Sequence, residues 1–123
     1  MKSKKVLLMG NPNVGKSTVF NELTGMHQHT GNWTGKTVDS TAGKFYYKYN
    51  NYELIDLPGT YSLIPSSEEE RIAGEYLLKE KYDCVVVVMD STMLQRNLML
   101  FYQIFEITNK VVVMLNLCDE ANK

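Results

Sequence analysis

GNPNVGKS, residues 10 to 17, fills every specified position of the pattern G-x-x-x-x-G-K-[ST]. That pattern has physical meaning only between a strand and a helix, so its flanks decide the reading. Before it, KVLLM (residues 5–9) is an apolar run of strand length. After it, Val19, Phe20 and Leu23 recur at helical spacing, and Gly25 is placed to end a helix begun at Lys16. Strand, glycine loop and helix thus come in the order that makes a phosphate cradle. Glycines permit a tight loop with inward N–H groups, and the amino end of the helix adds a favourable dipole. The candidate cradle comprises Gly10, Asn11, Pro12, Asn13, Val14, Gly15, Lys16, Ser17 and Thr18. In it Lys16 would bridge β- and γ-phosphates, and the Ser17 hydroxyl would face Mg²⁺.

Further along, residues 25–38 carry Gly25, Gly31 and Gly35 among polar residues and read as a long connecting loop. Ala42 to Tyr49 and Tyr52 to Leu57 read as a hairpin turning at Asn50-Asn51, a pair that tolerates left-handed backbone. SSEEERIAGEYLLKE (66–80) opens with a serine cap and acidic residues suited to a helix amino end. CVVVVMD (84–90) is a fully apolar strand of the kind covered on both faces. Leu94, Leu98, Phe101, Ile104 and Phe105 keep helical spacing, and VVVML (111–115) reads as another buried strand. The expected fold class is α/β, a mostly parallel sheet with one antiparallel hairpin strand and helices on both faces.

A triphosphate site needs a second acid for its metal, and DLPG (56–59) provides Asp56 at the end of an expected strand. Asp56 would hold Mg²⁺ through a water, the Gly59 N–H would sense the γ-phosphate, and Leu57 and Pro58 count with them as nucleotide-binding residues. The last apolar strand runs into Asn116-Leu117-Cys118-Asp119. Taken alone, that is an ordinary strand exit. Beside the other two motifs it reads as a guanine reader: one Asp119 carboxylate accepts from the N1–H and N2 amino group together, and Asn116 braces the loop.

Composition narrows the partners. In 123 residues, 13 basic and 14 acidic side chains nearly cancel to a formal charge of -1. No broad positive field is present to draw nucleic acid, and none is expected as a partner. The tyrosines at 46, 47, 49 and 52 read as residues of a half-exposed sheet, the other reading being a base-stacking platform. Cys84 and Cys118 sit in or beside apolar runs and match no metal-ligand spacing. The longest uninterrupted apolar stretch, Val85 to Met89, is far too short to span a bilayer, so the expected setting is cytoplasmic.

GNPNVGKS, GNWTGKTVD (31–39), DLPGTYSL (56–63) and MDSTMLQRNL (89–98) together resemble the amino-terminal G domain of the FeoB family of ferrous-iron transporters, in the Era-like class of GTPases. The likeness covers essentially the whole chain. It implies a P-loop NTPase G-domain fold over residues 1–123, stopping after the guanine-specificity motif and without the last strand and helix. It implies GTP and GDP as ligands with Mg²⁺ and K⁺, and slow GTP hydrolysis that regulates Fe(II) uptake. By position, Thr37 would be the switch threonine reaching Mg²⁺. Asn13, with the carbonyls of Gly31 and Trp33, would hold K⁺ against the phosphates; Thr60 stands where many GTPases place a water-orienting glutamine. Catalytic roles would then fall to Asn13, Lys16, Thr37 and Gly59. The implied partner is the membrane permease portion of the same transporter, at the cytoplasmic face of the bacterial inner membrane.

The segment departs from the family's habit at Thr34 and Lys36, where proline and an apolar residue are common. His27 and His29 in the same loop have two readings, solvent-exposed residues or iron ligands. Two other functions remain beside the leading one: a ribosome-associated GTPase, and a nucleotide-dependent interaction module that does not turn over. An unpaired strand edge would also favour a homodimer or a segment-exchanged dimer.

Overall fold

The apolar run before the glycine loop forms the centre of the molecule. In the computed structural model, which describes residues 3–12, 15–25, 28–32, 39–64, 67–91 and 94–116, strand β1 spans Ser3–Gly10. Helix α1 (Lys16–Thr24) comes next, then β2 (Gln28–Asn32), β3 (Asp39–Tyr47), β4 (Asn50–Asp56), α2 (Glu68–Lys79), β5 (Cys84–Asp90), α3 (Leu94–Ile107) and β6 (Val111–Asn116). The six strands form one sheet in the order β2-β3-β4-β1-β5-β6. β4, β1, β5 and β6 pair in parallel, while β3 runs antiparallel to both of its neighbours. This is the expected mostly parallel α/β sheet with one reversed strand.

Alternation along the central strands divides the core in two. Leu7, Met9, Ile55, Leu57, Val85, Val87 and Met89 pack with Ala73 and Leu77 of α2 and Leu100 and Ile104 of α3. Val6, Leu8, Leu54 and Val88 face the other way, against Val19 and Phe20 of α1. Helices therefore cover both faces, and full burial of each such side chain stabilises by about 1.5–3 kcal/mol. Cys84 joins the α1 layer, and burial together with the neighbouring Asp83 charge pushes its thiol up from the ordinary value.

Several local expectations need correction. Residues 28–32 are not loop: β2 pairs antiparallel with β3, from Gln28↔Gly43 to Asn32↔Asp39. QHTGN contains no large apolar residue, so its strand comes from backbone pairing that leaves no hydrophobic pattern. The hairpin turns at Lys48-Tyr49, with φ of 47° and 68°, instead of at Asn50-Asn51. The register, with Tyr47 opposite Asn50, leaves two residues in the turn, and a turn that suits the strand twist needs positive φ at both. Asn50 begins β4 and donates from its side chain to the Lys48 carbonyl at 3.2 Å.

In α1, Leu23 is exposed and Thr24 is buried in its stead, its hydroxyl satisfied by the Phe20 carbonyl at 2.8 Å. In α3, Leu100 is buried and Phe105 exposed. β6 is not a buried strand: Val112, Val113 and Leu115 are exposed, because among the described residues β6 has only β5 beside it. Tyr46, Tyr47 and Tyr49 are exposed around the hairpin, and Tyr52 stacks on its cross-strand partner Phe45 with ring centroids 4.8 Å apart.

Candidate functional site

Strand order reverses around β1, whose carboxyl end lies between those of β4 and β5. In open α/β sheets that crevice is where ligands bind. β1 delivers Gly10 there, and the chain continues through buried Asn11 and half-buried Pro12. Gly15 has φ 84° and ψ 18°, left-handed backbone that favours glycine, and leads directly into α1. The Val19 N–H donates to the Gly15 carbonyl at 3.2 Å, which begins the helical ladder. The N–H groups of Lys16, Ser17 and Thr18 precede it and have no partner within the helix. They form a ready anion-binding end, with the Ser17 and Thr18 residues exposed.

The second motif lies alongside. The Leu57 N–H donates to the Leu8 carbonyl and the Thr60 N–H to the Gly10 carbonyl, both at 3.1 Å. These bonds extend the β1–β4 pairing beyond Asp56 and hold the segment against the glycine loop. A Cβ at Gly59 would come within 3.2 Å of the Pro12 Cα and 3.3 Å of its nitrogen, too close without a shift. Lys16 joins the motifs: its Nζ donates to the Asp56 carboxylate and to the Leu57 carbonyl, the latter at 2.8 Å. Asn11, Pro12, Gly15, Lys16, Ser17 and Gly59 line a cleft of about 400 Å³.

The lining fits a polar anion and its metal. Both polar atoms of the Asn11 side chain, and the Thr60 hydroxyl, are buried with no hydrogen-bond partner among the described residues. Unpaired buried groups cost about 1–3 kcal/mol each, so Asn11, which lines the cleft, favours a polar occupant; Thr60 is not among the lining residues. Hydroxyl and carboxylate oxygens such as those of Ser17 and Asp56 are the hard donors Mg²⁺ prefers. A larger cavity of about 690 Å³ lies at the other end of the sheet, lined by residues including Lys5, Tyr82, Asp83 and Lys110. It has neither a glycine loop nor a helix amino end, so the smaller cleft is the better candidate.

Of the residues singled out by sequence, Gly10, Asn11, Pro12, Gly15, Lys16, Ser17, Thr18, Asp56, Leu57, Pro58 and Gly59 come together here. Gly31 lies in β2, with β3 and β4 between it and β1. Asn116 ends β6 opposite Asp90, at the same carboxyl-terminal edge of the sheet. Asn13, Val14, His27, Trp33, Thr37 and Asp119 lie outside the described residues.

Sequence reading missed a second set of contacts just downstream. The Ser62 hydroxyl donates to Glu70 Oε2 at 3.1 Å, and the Leu63 N–H donates to Gln103 Oε1 at 2.6 Å. The Ser67 cap was legible, and the Glu70 N–H does donate to its hydroxyl at 3.2 Å. The Gln103 contact crosses 40 residues and leaves no local signal.

Comparison with known proteins agrees with this geometry. Residues 4–123 match the sequence profile of the family described as Ferrous iron transport protein B. The chain is 45% identical over 123 residues to the Fe(2+) transporter FeoB of Campylobacter jejuni, covering all of this chain and 20% of that protein. It is 50% identical over 106 residues to the Methanocaldococcus jannaschii transporter of that name, covering 86% of this chain and 16% of that one. The chain therefore spans a fifth or less of these relatives. The crystal structure of the G domain of the T. maritima FeoB iron transporter superposes with TM-score 0.96 at 48% identity, covering 99% of this chain and 77% of that one. The cytosolic domain of the same transporter in its GMPPNP form gives TM-score 0.93 at 48% identity, covering 97% of this chain and 47% of that one.

Proposed function

The chain belongs to the ferrous iron transport protein B family, and on that premise we propose that it is a guanine-nucleotide-binding GTPase domain whose nucleotide state regulates Fe(II) uptake. The observation that supports this reading is the meeting of Lys16 with Asp56 and the Leu57 carbonyl, where the glycine loop and the DLPG segment come together at one helix end. Relatives described in GDP and GMPPNP forms support guanine nucleotides as the ligands.

On this reading the N–H groups at the start of α1 receive the phosphates, and Lys16 exchanges Asp56 for the β- and γ-phosphate oxygens. That exchange would free the Asp56 carboxylate, which with Ser17 and Thr37 would hold Mg²⁺. Bound Mg²⁺ and K⁺ supply positive charge that offsets charge developing on the phosphates. Asn13 and the carbonyl of Trp33 would hold the K⁺, joined by that of Gly31 only if β2 released it from its pairing with β3, and the Gly59 N–H would read the γ-phosphate. Thr60, in the place of a water-orienting glutamine, leaves hydrolysis slow. Asn116 and Asp119 select guanine.

The domain works at the cytoplasmic face of the membrane, coupled to the permease portion of its transporter. No helix among the described residues is long and apolar enough to cross a membrane. The exposed side chains of β6, which has β5 alone beside it among the described residues, favour self-association of this chain, by dimerisation or segment exchange.

Steady-state GTP hydrolysis in K⁺ and in Na⁺ buffers tests the proposal. The reading predicts slow turnover in Na⁺ and faster turnover in K⁺. Equal rates would remove the role of Asn13, and binding without turnover in either would leave the interaction-module function in place of the GTPase.

A further inference from the structure

The segment after Asp56 stays bonded to β1 as far as Thr60, and beyond Thr60 no strand among the described residues pairs with it. Leu63 is nevertheless held from both sides. Its N–H donates to Gln103 Oε1 of α3 at 2.6 Å. Its carbonyl faces α2, 3.9 Å from where a Cβ on Gly74 would stand. Its side chain packs against the core layer that contains Ala73, Leu77, Leu100 and Ile104. Ser62, one residue earlier, donates its hydroxyl to Glu70 of α2 at 3.1 Å and accepts from the Ile64 N–H at 3.3 Å.

Gln103 differs from these other restraints. Ser62 and Glu70 lie on neighbouring parts of the chain, whereas Gln103 comes from a separate helix that Leu100 and Ile104 anchor beneath the sheet. Near its amino end the same helix accepts from the Asp90 N–H through Asn97 Oδ1 at 3.4 Å. α3 thus touches both the segment that carries Gly59 and the end of the strand beside β6. An acceptor at 103 helps to fix where Leu63 stands, and only two residues separate Leu63 from Thr60. Thr60 and Gly59 in turn set the approach to Gly10 and Pro12.

We propose that Gln103 is a positioning residue for hydrolysis: through the Leu63 N–H it holds Gly59 and Thr60 against the phosphate loop. The inference rests on the GTPase reading, because positioning matters only if the cleft turns over. What position 103 must provide is an acceptor oxygen at the right reach. Glutamate keeps it, methionine keeps the length without it, and asparagine keeps the amide but withdraws it by one methylene.

The test compares Gln103→Met, Gln103→Asn and Gln103→Glu in the full chain, measuring kcat and KM for GTP, GDP affinity, and amide exchange at Leu63. Expected are a kcat about ten- to a hundredfold lower in the Met and Asn variants, GDP affinity within about twofold of wild type, since no contact to the phosphate loop is removed, and rescue of kcat by Glu. Exchange at Leu63 should be faster in the Met and Asn variants and protected with Glu. Wild-type turnover with unchanged kcat in both defective variants would overturn the proposal. So would equal loss in all three, which a merely structural role would give. If the wild type fails to hydrolyse GTP, the GTPase reading falls on its own; unchanged Leu63 protection in the Met and Asn variants would still overturn the clamp.

Discussion

β5 and β6 are close in composition, CVVVVMD against VVVMLN, and they pair in parallel along their length. Yet Val85, Val87, Val88 and Met89 are buried while Val112, Val113 and Leu115 are exposed. The difference lies in their neighbours. β5 lies between β1 and β6 with α3 packed on it, whereas β6 has β5 alone among the described residues. The two ends of the proposed nucleotide site show the same contrast. The proposed phosphate end draws on β1, β4 and α1, which brace one another through Lys16, Leu57 and Thr60. Base recognition is proposed for Asn116, at the end of β6, a strand with one neighbour among the described residues, and for Asp119.

The contrast can be broken at several points. The largest effect is expected at Asp119, the proposed base reader. Asp119→Asn should exchange GTP for XTP preference, a swing of about a thousandfold, in direct titrations with fluorescent guanine and xanthine nucleotides; an unchanged preference would remove NLCD from base recognition. Next comes Lys16→Ala, which should lower GTP turnover by about 10²–10³-fold in single-turnover assays while the chain stays folded by circular dichroism.

The register partners Met89 and Leu115 test the packing side of the comparison directly. Met89→Ala should cost about 2–5 kcal/mol in urea unfolding, as a buried truncation does. Leu115→Ala should change stability by less than about 0.5 kcal/mol. Similar losses at both positions would mean that β6 is covered in solution, and sedimentation of the chain at rising concentration would show whether a second copy covers it. A smaller effect is expected from Gly59→Ala. A methyl group pressed to within 3.2 Å of Pro12 should push the two loops apart and slow hydrolysis about tenfold, with GDP affinity nearly unchanged.

These positions also show where the sequence is readable. The glycine loop could be placed from its spacing, because G-x-x-x-x-G-K-S between an apolar run and a helical period leaves the backbone few choices. DLPG was likewise placed by its position at a strand end. β2 was hidden because QHTGN holds its place by backbone bonds to β3, with no apolar alternation to reveal it. The hairpin misled because Asn50-Asn51 is the better turn pair by composition, while strand register put Lys48-Tyr49 at the bend. The exposure of β6 could not be read from VVVML, since a strand's own residues do not state how many neighbours it has. Gln103 was invisible for a related reason: its partner is 40 residues away and is a backbone N–H, which every residue except proline carries.

The central claim is that the Lys16 and Asp56 cleft is a guanine-nucleotide site. Equilibrium titration of the folded chain with fluorescent GDP in Mg²⁺ and K⁺, competed by GTP and by ATP, tests it most directly. The account predicts saturable binding displaced by GTP and not by ATP, and lost in Lys16→Ala. Absence of binding, or displacement by ATP as readily as by GTP, would contradict it.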